Sequence, residues 1–181
     1  IDVSLVGSEM CIRDRVKTLL ILSFLLINDE RYTIESSKIE FYSYAPLEDI
    51  TAINTESIGA IDLSTSEFLI KIPVSAFEFP NKLMQKHFND SYLETDRYPE
   101  CIFRGKISGD TAEGEITLHG QTKKLSVPIT FNQSNDRIEI KTEFNIVLDD
   151  FKIKVPRLLF QNIAEDIDIK VESTFSKYMV Q

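Results

Sequence analysis

From Tyr32 onward the chain alternates apolar and polar residues with a period of two, the pattern of strands with one buried face and one wet one. In KIEFYSYA, Ile39 and Phe41 alternate with Glu40 and Tyr42, and in EFLIKIPV, Phe68, Ile70, Ile72 and Val74 share a face. ECIFRGKI puts Cys101, Phe103 and Ile107 together, and KLSVPITF does the same for Leu125, Val127, Ile129 and Phe131. DRIEIKTEFNI sets Ile138, Ile140, Phe144 and Ile146 opposite charged residues, and DIDIKVESTF does so with Ile167, Ile169, Val171 and Phe175. Parallel sheets covered by helices would show unbroken apolar runs, so the alternation points to antiparallel strands packed inward on one face. Turn residues fall between the segments, at Ser64 to Ser66, in HGQT after Leu118, and at Ser134 to Asp136. About eight strands with short connections leave an all-β sandwich or an antiparallel up-and-down barrel.

One segment breaks the period. In LMQKHFNDSYLETDRYP, Met84, Phe88 and Tyr92 are spaced four apart, which on a helix forms one apolar stripe with Leu83 and His87 beside it. Asn81 after Pro80 is placed to cap the start, and Tyr98-Pro99 ends the excursion. The spacing therefore predicts a short helical insertion near residues 81–95, and the open end of a barrel is the surface on which its stripe would lie.

The residues before the barrel read differently. IDVSLVGSEMCIRDR, residues 1–15, looks like translated adaptor sequence or a disordered leader, and either reading keeps it out of the fold. Residues 16–28 follow with Lys17 and the apolar run TLLILSFLLI, the plan of a secretory signal peptide. Ten helical residues rise only about 15 Å, roughly half the bilayer core, so no stable membrane span is expected. The other reading of the run is a buried element of the domain, which otherwise occupies residues 30–181.

Composition removes several function classes. The formal charge of −9 and pI near 4.8 disfavour nucleic acid and anionic membrane surfaces as partners. Residues 1–27 hold three acidic and three basic side chains, so the remainder keeps the whole excess. Of the two cysteines, Cys11 is in the leader, which leaves Cys101 without a disulfide partner and, in a strand, best read as a buried inert thiol. His87 and His119 are the only histidines, and no zinc-binding spacing exists. His87 reads as a hydrogen-bonding helix residue, His119 as a turn residue with an exposed imidazole, and Lys123 and Lys124 as a solvated hairpin tip. No nucleophile with an acid–base partner is visible.

Three pieces of the chain together resemble the YceI-like, polyisoprenoid-binding family: LMQKHFNDSYLETDRYPECIFRGKI, GEITLHGQTKKLSVPITF and FNIVLDDFKI. The resemblance runs from about Tyr32 to the C-terminus, and its most specific parts are the His87-to-Pro99 segment and the LHGQTKK hairpin. It departs where RYTIESSK stands for the usual aromatic and His-Ser near the start, and where Met84-Gln85 replaces an acidic/Arg pair. It implies a bacterial, exported, lipocalin-like barrel holding an isoprenoid, quinone-like or fatty-acyl chain, without enzymatic activity, cofactor or metal. On that reading the ligand-binding side chains are Phe41, Phe68, Ile70, Ile72, Met84, Phe88, Tyr92, Phe103, Leu118, Ile129, Phe144, Ile146, Ile169 and Phe175. The expected location is periplasmic or secreted, with a homodimer left open. The competing functions are a barrel enzyme acting on a small apolar substrate and a filled barrel serving as a structural or interaction module.

Overall fold

The computed structural model describes residues 30–44, 49–154 and 166–178. The leader and the signal-like run lie outside the described residues. Ten strands form one antiparallel sheet: β1 (Arg31–Ser43), β2 (Ile50–Asn54), β3 (Ile58–Asp62), β4 (Glu67–Pro73), β5 (Glu100–Ser108), β6 (Thr111–Leu118), β7 (Gln121–Pro128), β8 (Thr130–Ser134), β9 (Arg137–Val147) and β10 (Asp166–Lys177). The neighbours run β7-β6-β5-β4-β3-β1-β10-β9-β8, with β2 also on β1.

These ten strands reduce to the eight strand paths of the expected barrel because two of the paths are broken. Both β2 and β3 pair with the same edge of β1, with Ile39 opposite Asn54 and Thr33 opposite Ala60, so the register is unchanged across the break. The break is local. The Asn54 side chain, fully buried, donates to the Pro73 carbonyl at 2.8 Å and accepts from the Glu56 amide at 2.9 Å, holding a local kink between two strands that run the same way. The second broken path is β7 and β8, which flank Ile129. Its first half pairs with β6 and its second with β9, which closes the circle. Pro128 has no N–H for a ladder; its carbonyl accepts from Thr142 Oγ1 at 2.6 Å, and the Ile129 amide donates to Asp110 O at 2.7 Å. Past this crossing the strands diverge. Neither the outer edge of β7 nor β9 from Thr142 to Val147 has a ladder partner on that side among the described residues.

Gly105 and Gly114 face each other across β5 and β6, where the two backbones approach closely. A Cβ on Gly105 would stand 2.0 Å from the Glu113 carbonyl oxygen, and one on Gly114 2.0 Å from Arg104 O, so only glycines allow this approach. Tight turns at Ser64–Ser66, 109–110 and 135–136 serve one end of the barrel. β1, β4 and β9 end, and β2, β5 and β10 begin, at the other end, where the described residues 74–99 and 148–154 lie.

Part of that chain is the helical excursion. Helix α1 (Lys82–His87) starts where Asn81 Oδ1 accepts from the amides of Leu83 at 2.9 Å and Met84 at 3.2 Å, as the sequence suggested. It then widens into a π turn, Phe88–Tyr92, closed by the Leu93 amide on Phe88 O at 2.9 Å. Leu83, expected beside the apolar stripe, points out instead and is 64% exposed. His87 is exposed and stacks on Tyr92, with ring centres 6.5 Å apart.

Candidate functional site

The inward faces leave a gap. A cavity of about 210 Å³ runs through the barrel, larger than the roughly 150 Å³ that suffices for an apolar cavity to stay dry and admit benzene. The end served by tight turns is closed by a packed core that includes Ile61, Ile138 and Phe175, each at most 1% exposed. At the other end Met84 and Phe88 of the helical excursion cover Ile39, Phe41, Ile50 and Ile167. The Phe88 ring meets those of Phe79, Phe41 and Phe77 at 4.9, 5.7 and 5.8 Å, an aromatic box built from three separate segments.

The structure brings all fourteen side chains singled out from the sequence to the wall of this one cavity: Phe41, Phe68, Ile70, Ile72, Met84, Phe88, Tyr92, Phe103, Leu118, Ile129, Phe144, Ile146, Ile169 and Phe175. It adds others that strand periodicity does not reach. Phe77, Phe79, Leu93 and Ile153 are buried and stand in irregular segments at the helix-covered end, and all four line the cavity. The alternation of Phe77 and Phe79 in AFEFP was the available signal. Ser43, at the last position of β1, was also passed over.

The chemistry of the wall is narrow. Among the described residues no lysine, arginine, histidine or carboxylate lines the cavity. Two of its hydroxyls are engaged within the wall: Ser57 donates to Ser37 Oγ at 2.5 Å, and Thr142 to the Pro128 carbonyl. Burial pushes the Cys101 thiol up to about 12, which leaves it protonated and unreactive at neutral pH. Partial burial also raises the Tyr92 phenol above its ordinary value. No group of three or more metal-ligating side chains occurs among the described residues, and none of their helices is long and apolar enough to cross a membrane. The site offers apolar surface and shape, with no base beside a nucleophile.

The YceI-like domain model matches residues 32–175. The chain belongs to the YceI-like family. YceI-like relatives include a UPF0312 protein of Pseudomonas putida (strain W619), 32% identical over 98 residues, covering 48% of this chain and 50% of that one. A UPF0312 protein of Pseudomonas savastanoi pv. phaseolicola is 27% identical over 136 residues, 68% of this chain and 70% of its own. The chain thus spans about half the length of the first of these relatives. Among solved structures, a polyisoprenoid binding domain from Saccharophagus degradans, implicated in plant cell wall breakdown, superposes with a TM-score of 0.72 at 14% identity, covering 81% of this chain and 98% of that one. Burkholderia cenocepacia BcnA gives 0.64 at 16% identity over 76% and 95%. At such identities the likeness establishes the lipocalin-like fold.

The two most specific YceI-like pieces of the sequence meet in space. His119 and Gly120 make the β6–β7 turn with φ of 49° and 70°. The His119 ring lies edge-on to Tyr98 at 4.6 Å, and its Nδ1 donates to the Phe151 carbonyl at 3.1 Å. A Cβ on Gly120 would be 2.7 Å from the Tyr98 ring, so the turn needs glycine for space as well as for φ. This corrects the reading of His119 as exposed: its side chain is 13% exposed because Tyr98 and Phe151 close over it. Lys123 is not a free tip either, since it pairs with Asp150 at 3.2 Å, tying β7 to the turn after β9.

Proposed function

We propose that this YceI-like chain is an exported lipid-binding protein that shelters an apolar chain, isoprenoid or similar, inside its barrel for storage or transport. The observation that carries this reading is the apolar cavity, blind at one end and covered by the Met84–Phe88 excursion at the other. Each buried CH₂ of a guest contributes about 0.8 kcal/mol, so a wall without charges is sufficient for affinity. The Saccharophagus degradans structure, named for polyisoprenoid binding, supports the choice of guest. Export rests on the signal-like run before the domain and places the protein in the periplasm or outside the cell. A catalytic role has no support in the wall, where the one thiol is held protonated and has no basic partner.

The test is native mass spectrometry of the purified protein, followed by organic extraction. A mass excess that extraction removes as an apolar lipid supports the reading. Polypeptide mass alone, together with no uptake of added C20 prenyl compounds, overturns it. Fractionation of cells expressing a C-terminally tagged chain tests export separately.

A further inference from the structure

The far-reaching oddity of the cavity is Ser43. It is the final residue of β1, opposite Ile50 in the β1–β2 ladder and two residues past Phe41 on the same inward face. The residue is 0% exposed, lines the cavity, and its Oγ has no hydrogen-bond partner among the described residues. Leaving a buried hydroxyl unpaired costs about 1–3 kcal/mol, and alanine at the same place would avoid the cost. Ser57 and Thr142, by contrast, have their hydroxyls engaged by protein partners.

We propose that Ser43 is the anchoring point for the polar end of the guest lipid, and that this end is an uncharged carbonyl, ether or hydroxyl group. The inference rests on the lipid-binding reading above and names the ligand class of the same site. A serine hydroxyl both donates and accepts, so it serves a ketone and an alcohol alike. A phosphate or carboxylate would enter a wall with no cation among the described residues, and desolvating such a charge without a partner is prohibitive. Ser43 also fixes polarity along the barrel. It stands at the end of β1 beside Ile50, whose cluster with Phe41 the helical excursion covers, whereas Phe175 and Ile138 close the far end. The head therefore lies beneath the aromatic box and the tail points to the blind end.

The experiment uses the full chain, delipidated, with displacement of a fluorescent apolar dye by four C20-based compounds: the hydrocarbon phytane, geranylgeraniol, geranylgeranylacetone and geranylgeranyl phosphate. The wild type is expected to bind the ketone and alcohol about fivefold more tightly than the hydrocarbon, and the phosphate more weakly than either. Ser43→Ala should erase the preference while leaving hydrocarbon affinity unchanged, and Ser43→Thr, which keeps the hydroxyl, should restore it. A melting temperature of delipidated Ser43→Ala at or above that of the wild type verifies that the fold is intact. A preference that survives Ser43→Ala, or phosphate binding as tight as the alcohol, overturns the assignment while lipid binding stands. Failure of all four compounds to displace the dye overturns the lipid-binding reading, and the assignment with it.

Discussion

Phe88→Ala separates a lid over a ligand cavity from a plug in a packed core. The Phe88 ring is in contact with the rings of Phe41, Phe77 and Phe79 at 5.7, 5.8 and 4.9 Å. Truncating a fully buried phenylalanine costs about 3–5 kcal/mol. Phe88 is half-buried and borders empty cavity on its inner side, so fewer contacts are lost and about 2–3 kcal/mol is expected. Alanine is the better helix former, so any loss reports packing rather than helix propensity. For a domain of this size that loss lowers the melting temperature by roughly 5–10 °C. Because the ring covers the cavity mouth, the variant should also release bound lipid faster. The assay is thermal unfolding followed by circular dichroism, on delipidated and loaded protein, with lipid occupancy read by native mass spectrometry. If delipidated Phe88→Ala melts within a degree of the wild type and the loaded form keeps its lipid, the excursion closes nothing and the reasoning fails. A loss well beyond 10 °C in a protein that carries no lipid would identify a plug.

Gly114→Ala should cost about 3 kcal/mol or more, because the new methyl meets the Arg104 carbonyl, whereas Gly109→Ala, with open space but φ of +61°, should cost about 1–2 kcal/mol; urea midpoints compare them. His119→Ala orphans the Phe151 carbonyl and should cost about 1–3 kcal/mol, with hydrogen exchange accelerating in residues 148–153 before the strands. The Cys101 thiol titrates near 9 in the unfolded chain and near 12 when folded, so the folded state binds the extra proton between those values. Stability from this group is therefore complete below pH 9 and falls as pH rises toward 12, by at most about 1.4 kcal/mol per unit. The difference in melting temperature between wild type and Cys101→Ala should be constant below pH 9 and shift against the wild type only above it, and a thiol reagent should react with native protein slowly at pH 8.

The wall of the cavity was legible because strand periodicity is strict: each residue two positions along returns to the same face, so Phe68, Ile70 and Ile72 could be assigned inward without knowing their partners. The breaks in the strand paths were not legible. They depend on Asn54 reaching Pro73 and on a proline meeting Thr142, contacts between residues far apart in sequence. The covered end was only partly legible. Met84, Phe88 and Tyr92 kept their helical spacing well enough to be found, but the short helix and its π turn left Leu83 outside. Leu93 and Ile153 sit where no period operates, and the alternation of Phe77 and Phe79 falls outside any strand. His119 was misread because a turn's exposure is decided by what packs over it, here Tyr98 and Phe151.

The divergence of β7 from β9 has a consequence for how the molecule behaves in a crowd. Along one side of the barrel two stretches of backbone, the outer edge of β7 and β9 from Thr142 to Val147, present amides and carbonyls without a ladder partner among the described residues. Such edges are templates on which a foreign strand can grow. Lys124 and Glu143 are exposed charges along them, and the −9 charge of the chain holds copies apart at low salt. High ionic strength removes that repulsion. Any salt-induced aggregation of the folded protein is expected to start by strand addition at this seam, and a proline in place of Lys124 or Glu143 should suppress it.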